Sequence, residues 1–320
     1  MKVLIVASNK GGKFAPFVEE QILALESENI ETISYAHTAH GILKYILEIR
    51  RLRHIIFKKK PDILHAHFGL TGLISTLAVI GLNIPVVVTY HGCDINDNKV
   101  RPFSQLAMRL ATWNIFVSYR QMINAFGSEQ KSKRNNNWCI MPCGINISTF
   151  DNTCVDAEWF EQKYNAKPCV LFAGSFMSEV KNPLLAKQAI ILYNQNHPEQ
   201  TVELLELRGY TRNEVATLMN KCHALLLTSI REGSPQVVKE AMACGCPIVS
   251  VDVGDVAERL DGVEGCKVIA SREPKDIVEA LESVIAFGRT KGREKLLNDG
   301  LDNMQIAEKL VEIYTKVINK

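Results

Sequence analysis

The apolar positions of this chain form short continuous runs that alternate with segments of helical periodicity. Residues 2–7, Ile84–Tyr90 and His223–Leu227 are largely apolar, which is typical of parallel strands buried on both faces. Phe14–Leu25 and Pro274–Phe287 instead repeat apolar residues every three to four positions, as amphipathic helices do. This alternation predicts an α/β fold built from βαβ units.

One predicted βαβ unit contains two carboxylates, Glu232 and Glu240, eight positions apart. Ser234 is a favourable N-cap and Pro235 a favourable first helical residue. This start places Glu232 in the loop and Glu240 more than one turn inside the helix. Ligands of open α/β sheets bind where strands end, and a helix N-terminus favours phosphate. The pattern therefore predicts a ligand site here, while solvated surface roles for both glutamates stay open.

The same stretch resembles a family signature. Glu232–Pro235, Lys239–Gly245 and Pro247 are similar to the Glu-x7-Glu motif of retaining glycosyltransferase family 4. The resemblance implies the GT-B fold, in which two Rossmann-like, doubly wound domains face each other across a cleft. It also implies transfer of a sugar from a nucleotide-sugar donor to a hydroxyl acceptor with retention of configuration, without a cofactor or an essential metal.

The length of 320 residues is consistent with two domains. The resemblance predicts an acceptor-binding domain over residues 1–150 and a donor-binding domain over residues 151–302. It also predicts a last helix, over residues 303–320, that packs back on the first domain. Residues 147–167 are polar and are predicted to form the linker.

Polar loops follow two predicted strands of the first half. His65 and His67 lie two positions apart and could share a metal, but no third ligand is evident, so structural or substrate-loop roles are favoured. His91 and Asp94 follow the strand that ends at Tyr90, where active sites of such sheets lie. The resemblance implies catalytic roles for both and places His91 near the reacting carbon of the donor sugar; capping of the next turn stays open for either.

The resemblance also assigns residues to the donor. Glu240 is expected to accept hydrogen bonds from the ribose hydroxyls, Glu232 to bind sugar hydroxyls, and Gly233–Gln236 to offer backbone N–H groups to the diphosphate. Gly11 and Gly12 follow the first strand in a turn that can approach a phosphate, although a plain βα turn is equally consistent.

The diphosphate clamp departs from the family pattern. Gly174 and Ser175 precede Lys181, where the family has an arginine and a lysine six positions apart. Ser175 stands at the arginine position, so the bidentate fork is missing and only the point charge of the lysine remains. Reduced activity, a different leaving group, or compensation by another cation such as Arg231 all stay open.

The predicted helix Gly41–Lys60 has a strongly basic polar face. It could lie on an anionic membrane surface, or its apolar face could pack on the sheet with the cations simply solvated. The resemblance implies a carbohydrate or lipid-linked acceptor, and thus a role in surface polysaccharide synthesis. Nucleic acid is not expected as a partner, because no recognition-helix motif accompanies the cations.

The nine cysteines lack a complete metal-ligand spacing and indicate buried thiols in a reducing compartment. With no signal peptide evident, the expected location is cytoplasmic, with peripheral contact at the inner face of the plasma membrane as an open question. Two alternative functions also stay open: a nucleotide-sugar epimerase of the same fold, and a catalytically weak nucleotide-sugar-binding subunit.

Overall fold

The computed structural model describes residues 1–8, 14–38, 42–153, 155–165 and 167–319. Gly11 and Gly12 lie outside these residues, so their predicted contact with a phosphate stays a prediction. The chain divides into two compact units, Met1–Gly144 with Asn303–Lys320, and Ile145–Asp302. The sequence placed the first limit at residue 150.

The first unit contains a six-stranded sheet in which all neighbouring strands are parallel. The strands are β1 (Lys2–Ser8), β2 (Glu31–His37), β3 (Ile63–His67), β4 (Val86–Tyr90), β5 (Trp113–Phe116) and β6 (Trp138–Ile140). The helices between them are α1 (Pro16–Ser27), α2 (Ile42–Lys59), α3 (Gly69–Ala78), α4 (Cys93–Asn96), α5 (Arg101–Leu110), α6 (Tyr119–Phe126) and α7 (Glu129–Ser132). The strand order is β2-β1-β3-β4-β5-β6. Strands β3 and β4 are buried along their whole length, as the apolar run Ile84–Tyr90 predicts for β4.

The second unit contains a five-stranded parallel sheet of order β11-β10-β9-β7-β8. Its strands are β7 (Cys169–Phe172), β8 (Glu203–Glu206), β9 (Ala224–Leu227), β10 (Ile248–Val251) and β11 (Lys267–Ile269). Its helices are α8 (Ala157–Tyr164), α9 (Pro183–Asn196), α10 (Arg212–Lys221), α11 (Gln236–Ala243), α12 (Val256–Leu260), α13 (Pro274–Phe287) and α14 (Gly292–Asn298). The two sheets confirm the predicted α/β class.

The last helix, α15 (Asn303–Ile318), belongs to the first unit. It packs beside α1, and its Tyr314 is fully buried. The hydroxyl of Tyr314 shares a hydrogen bond of 2.5 Å with Nδ1 of His65 on β3. One helix at the end of the chain therefore completes the core around the first sheet.

Local signals explain where several helices begin and end. Thr211 caps α10 in a capping box with Glu214, in which each side chain binds the backbone N–H of the other residue. The segment predicted as a linker, residues 147–167, is not entirely irregular, since it contains α8, which Asp156 caps. A helix of only two turns is too short for its apolar period to stand out.

Among the described residues, no helix combines the length and the apolar character that a membrane crossing requires.

Candidate functional site

The strand order of the second unit marks one place in its sheet. From β7 the chain passes through α9 to β8 on one side, and from β8 it passes through α10 to β9 on the other side of β7. The connections after β7 and β9 therefore leave in opposite directions. Open parallel sheets bind ligands at the carboxyl ends of such a strand pair. The loops that follow β7 and β9 carry the residues predicted for the donor.

An ion pair joins these two loops. Nζ of Lys181, in the loop after β7, lies 2.6 Å from Oε1 of Glu232, in the loop after β9. The hydroxyl of Thr228 donates to the backbone oxygen of Lys181 (2.9 Å), and the backbone N–H of Ile230 donates to Val180 (2.8 Å). Two residues predicted from separate motifs therefore lie in direct contact.

Gly174 makes room for the lysine side chain. Its φ is +158°, in a region that L-residues rarely adopt. A Cβ at this position would lie 2.8 Å from Cγ of Lys181. Glycine is therefore needed for the side chain of Lys181 to pass over the end of β7.

Glu240 is a buried carboxylate inside α11. Only 5% of the residue is exposed. Its Oε1 accepts a hydrogen bond of 2.5 Å from Nη1 of Arg212, the first residue of α10. The prediction that Glu240 lies inside the helix is correct, but sequence reasoning missed Arg212 as its partner. The one available signal was a cation in the first turn of a helix, where the helix dipole disfavours it.

The start of α11 differs from the prediction by one residue. Pro235 occupies the N-cap position, with φ −68° and ψ 118°, and the helix begins at Gln236. Ser234 is therefore not the N-cap. Its hydroxyl lies 3.3 Å from Nζ of Lys239, a fully buried residue of α11 that is able to donate to it. A buried ammonium needs polar partners, and the Ser234 hydroxyl is one such partner for Lys239.

The loop after β10 packs against the segment that precedes α11. Gly254 has a left-handed φ of +60°, and a Cβ there would lie 2.7 Å from the backbone oxygen of Gly233. The buried Asp255 follows, and its carboxylate interacts electrostatically with Lys239. Burial raises the pKa of Asp255, and Lys239 opposes this shift. The loops after β9 and β10 are thus packed closely together.

Ser175, at the position of the family arginine, contacts a carboxylate. Its hydroxyl donates to Oε2 of Glu206 at the end of β8 (3.3 Å), and the backbone N–H of Phe176 donates to the same oxygen (2.7 Å). Arg231, which the sequence offered as a compensating cation, is exposed. Lys181 pairs with Glu232, and Arg212 pairs with Glu240.

The first unit has its own cluster of predicted site residues at the end of β4. Nε2 of His91 lies 2.9 Å from Nδ1 of His67, and Nδ1 of His91 lies 3.6 Å from Sγ of Cys143. The rings of Phe17 and Phe68 lie against His91, with centroid distances of 4.8 and 4.7 Å. His91 is therefore held between aromatic rings and a second histidine.

Asp94 is buried and shapes the loop that carries His91. Its carboxylate accepts hydrogen bonds from the backbone N–H groups of Gly69 (2.9 Å), Gly92 (2.9 Å) and His91 (3.0 Å). Burial raises its pKa to about 6, although these N–H groups act in the opposite direction. The carboxylate of Asp94 therefore stabilises the backbone conformation of the loop that carries His91.

His65 and His67 are both fully buried. The three histidine rings form a stack, with centroid distances of 4.6 Å between His65 and His67 and 5.2 Å between His67 and His91. No group of three or more potential metal ligands occurs within the part of the chain that the structure describes. The sequence favoured structural or substrate-loop roles for the His65–His67 pair, and the burial and stacking of the two rings are consistent with a structural role.

Three curated proteins are similar to this chain in sequence. An uncharacterised glycosyltransferase of Methanocaldococcus jannaschii is 26% identical, over 79% of this chain and 71% of that protein. A putative teichuronic acid biosynthesis glycosyltransferase of Bacillus subtilis is 23% identical, over 75% and 67%. N,N'-diacetylbacillosaminyl-diphospho-undecaprenol alpha-1,3-N-acetylgalactosaminyltransferase of Campylobacter jejuni is 23% identical, over 67% and 63%.

Solved structures share the fold at low sequence identity. A sucrose-phosphate synthase of Thermosynechococcus elongatus superposes with a TM-score of 0.79 at 15% identity, covering all of both chains. The HepE protein of Anabaena, solved with UDP, gives 0.73 at 15% identity, over 99% and 100%. UDP-GlcNAc 2-epimerase of M. jannaschii gives 0.64 at 14% identity, over 99% and 100%. Because the fold includes transferases and an epimerase, it does not separate these activities.

Two family models match this chain, and both describe glycosyltransferases. The model described as Glycosyltransferase Family 4 matches residues 2–148, and the model described as Glycosyl transferases group 1 matches residues 194–286. The first match covers most of the first unit, and the second covers the signature segment around Glu232 and Glu240. This chain therefore belongs to the family 4 glycosyltransferases and has the GT-B fold.

Proposed function

We propose that this glycosyltransferase moves a hexose-type sugar from a nucleoside-diphosphate sugar to a hydroxyl of a carbohydrate or lipid-linked acceptor, with retention of configuration and without a metal. The contact between Lys181 and Glu232 carries the proposal. In this contact a cation and a carboxylate lie together at the strand pair where such sheets bind ligands, directly before the N-terminus of α11.

The main chemical requirement is to stabilise the diphosphate as it departs. Fixed donors do this best in a site from which water is excluded. Lys181 supplies a positive charge, and the start of α11 supplies backbone N–H groups and the positive end of a helix dipole. Lys181 is only partly exposed, so its charge is less screened than that of a surface lysine.

The two signature glutamates take different parts of the donor. Glu232 lies in the loop beside Lys181 and, in this proposal, accepts hydrogen bonds from the sugar hydroxyls. Glu240 is deeper, inside α11, and takes the ribose hydroxyls in this proposal. Hydrogen bonds to a charged group contribute about 1.5–3 kcal/mol each. Retention of configuration is proposed from the family signature.

His91 lies in the first unit, and its neighbour His67 determines which ring nitrogen of His91 bears the hydrogen. Burial lowers the pKa of His67 to about 3, so its ring is neutral. Among the described residues, Nε2 of His67 has no hydrogen-bond partner. A buried N–H without an acceptor is costly, so the hydrogen belongs on Nδ1, which donates to Nε2 of His91. A neutral His91 then offers Nδ1–H as its donor.

The acceptor is proposed to be lipid-linked, and the surface of α2 supports this. Ile46 and Phe57 are exposed on α2, on the same face as the exposed Arg50. Ile46 also lines a cavity of about 280 Å³, together with other apolar side chains of α2 and α3 and with Phe103. Apolar side chains next to cations suit the interface of an anionic membrane. The relative from Campylobacter jejuni is itself named for an undecaprenol-linked acceptor.

Turnover tests the proposed activity. The purified protein is incubated with a panel of nucleoside-diphosphate sugars, with and without acceptors bearing undecaprenyl or short-chain lipid diphosphates. Transfer to an acceptor, with the anomeric configuration kept in the product as seen by NMR, is expected. An epimer formed in the absence of acceptor would indicate the alternative activity instead, and nucleotide binding without any turnover would indicate a binding subunit.

Lys181→Ala is expected to lower kcat at least tenfold, because the departing diphosphate loses its nearest cation; tenfold corresponds to about 1.4 kcal/mol. Lys275→Ala, which removes an exposed cation from the start of α13, serves as the matched control and is expected to behave as the unaltered protein. Circular dichroism checks that both variants are folded. Unchanged kcat in folded Lys181→Ala would remove this residue from the diphosphate site.

Membrane contact is tested with vesicles of phosphatidylglycerol and phosphatidylcholine. Reversing two cations of α2, Arg50→Glu with Lys58→Glu, is expected to weaken binding at least tenfold, since each near-surface cation contributes about 1 kcal/mol. The same reversal at Lys163 and Lys275, in the other unit, keeps the net charge equal and is the control. Full activity on a lipid-linked acceptor without any vesicle binding would contradict the proposal.

The hydrogen on His91 is observable by nitrogen-15 NMR of the imidazole rings. The unaltered protein is expected to show His91 with its hydrogen on Nδ1. His67→Asn keeps an N–H near the position of Nδ1 and is expected to preserve this state, whereas His67→Leu removes the donor and is expected to abolish it. A His91 spectrum that does not differ between the two variants would refute the assignment.

A further inference from the structure

The pairing of Arg212 with Glu240 needs an explanation beyond charge neutralisation. Arg212 is the first residue of α10, where the positive end of the helix dipole lies. A cation there is unfavourable by a few tenths of a kcal/mol to about 1 kcal/mol. The capping box of Thr211 and Glu214 is otherwise well formed, so the helix start does not itself require an arginine. The contact with Glu240 is what Arg212 provides.

Several contacts restrict the position of Arg212. Its guanidinium lies over the ring of Phe150, 4.5 Å from the ring centroid, and Phe150 is fully buried. The backbone oxygen of Phe150 accepts from Nη1 of Arg293 (2.7 Å), which also donates to the backbone oxygen of Ala243 at the end of α11 (3.2 Å). Arg212 thus packs on a segment that is tied to the helix of Glu240.

The other end of α10 is fixed to the same segment. The side-chain amide of Asn220 donates to the backbone oxygen of Asp151 (2.8 Å), and the hydroxyl of Thr217 accepts from the backbone N–H of Asp156 (3.1 Å). Helix α10 therefore cannot slide along α11 without breaking these bonds. A guanidinium held in this way restricts the orientation of the carboxylate that it binds.

An oriented carboxylate can distinguish nucleosides. A carboxylate has about four acceptor positions, and the hydrogen bond from Nη1 of Arg212 occupies one of them. Two adjacent hydroxyls match two of these positions only when the carboxylate plane is fixed. A site built to hydrogen-bond a hydroxyl discriminates strongly against an analogue that lacks it.

We propose that Arg212 is the positioning residue that makes the donor site selective for ribonucleotides: it orients Glu240 so that its carboxylate accepts both hydroxyls of the ribose diol. The inference rests on the proposed donor role of Glu240. Its consequence is that donors built on ribose are accepted, and that deoxythymidine-diphosphate sugars, which lack the 2'-hydroxyl, are rejected.

The test compares the affinity of one nucleoside diphosphate with those of its 2'-deoxy and 3'-deoxy analogues by titration calorimetry. The base is taken from whichever of UDP, GDP, ADP and CDP raises the Tm most. The unaltered protein is expected to prefer the ribonucleotide at least tenfold over each analogue. Arg212→Met is expected to reduce this preference to less than about threefold, as is Glu240→Ala, and the double variant is expected to behave as Glu240→Ala alone.

Lys221→Met is the matched control, because it removes a cation from the opposite end of α10; it is expected to keep the full preference. Equal weakening of all three ligands by Arg212→Met, or an unchanged preference, would overturn the inference. If Arg212→Met does not fold because the buried Glu240 loses its ion pair with Arg212, Arg212→Lys decides. It keeps the charge but loses the planar fork, so the preference should fall at least threefold, and full retention would overturn the proposal.

Failure of the proposed function gives a different result. In that case no nucleoside diphosphate binds the unaltered protein, and no preference can be measured. Binding with a tenfold ribose preference that survives in Arg212→Met would leave the proposed function standing and refute only the role of Arg212.

Discussion

A carboxylate buried inside a helix has to be paired, and this requirement organises the second unit. Glu240 is 5% exposed and lies on α11. Removing one partner of such a buried pair leaves an uncompensated charge, which costs several kcal/mol. Arg212 pairs with Glu240 from another helix, α10. The contacts of α10 with the segment around Phe150 hold Arg212 in position for this pairing.

The two signature glutamates follow one principle at different depths. Each lies beside a cation from another part of the chain, Lys181 for Glu232 and Arg212 for Glu240. Neither cation comes from the helix or loop that carries its glutamate. The signature segment thus depends on two further segments for its electrostatic balance, and the strand order of the sheet brings all three together. Ser175 adds no charge and instead hydrogen-bonds Glu206.

Much of this arrangement could be predicted from the sequence, because it depends on local patterns. Apolar runs located several of the strands, and helical periodicity located α1 and α13. The cap of α11 was placed one residue early, since both Ser234 and Pro235 suit a helix start and the choice between them depends on Lys239 beneath the loop. Local preference alone does not include that buried ammonium.

The side-chain partners could not be predicted in this way. Arg212 and Glu240 lie in different helices, and Lys181 and Glu232 in different loops, so their contacts depend on how strands are ordered in the sheet. The same holds for His67 and His91, whose rings meet only because β3 and β4 are neighbours. The sequence named both residues of the Lys181–Glu232 and His67–His91 pairs but not their contacts, and for Glu240 it did not name the partner Arg212.

The placement of α15 has a consequence for biosynthesis. Tyr314 supplies the buried hydroxyl beside His65, yet more than 150 residues of the other unit separate it from the rest of its own sheet. A nascent chain leaving the ribosome therefore presents the first sheet before its closing helix has been translated. During that interval the polar ring of His65 has no tyrosine partner, so the first unit reaches its final packing only after α15 has been translated.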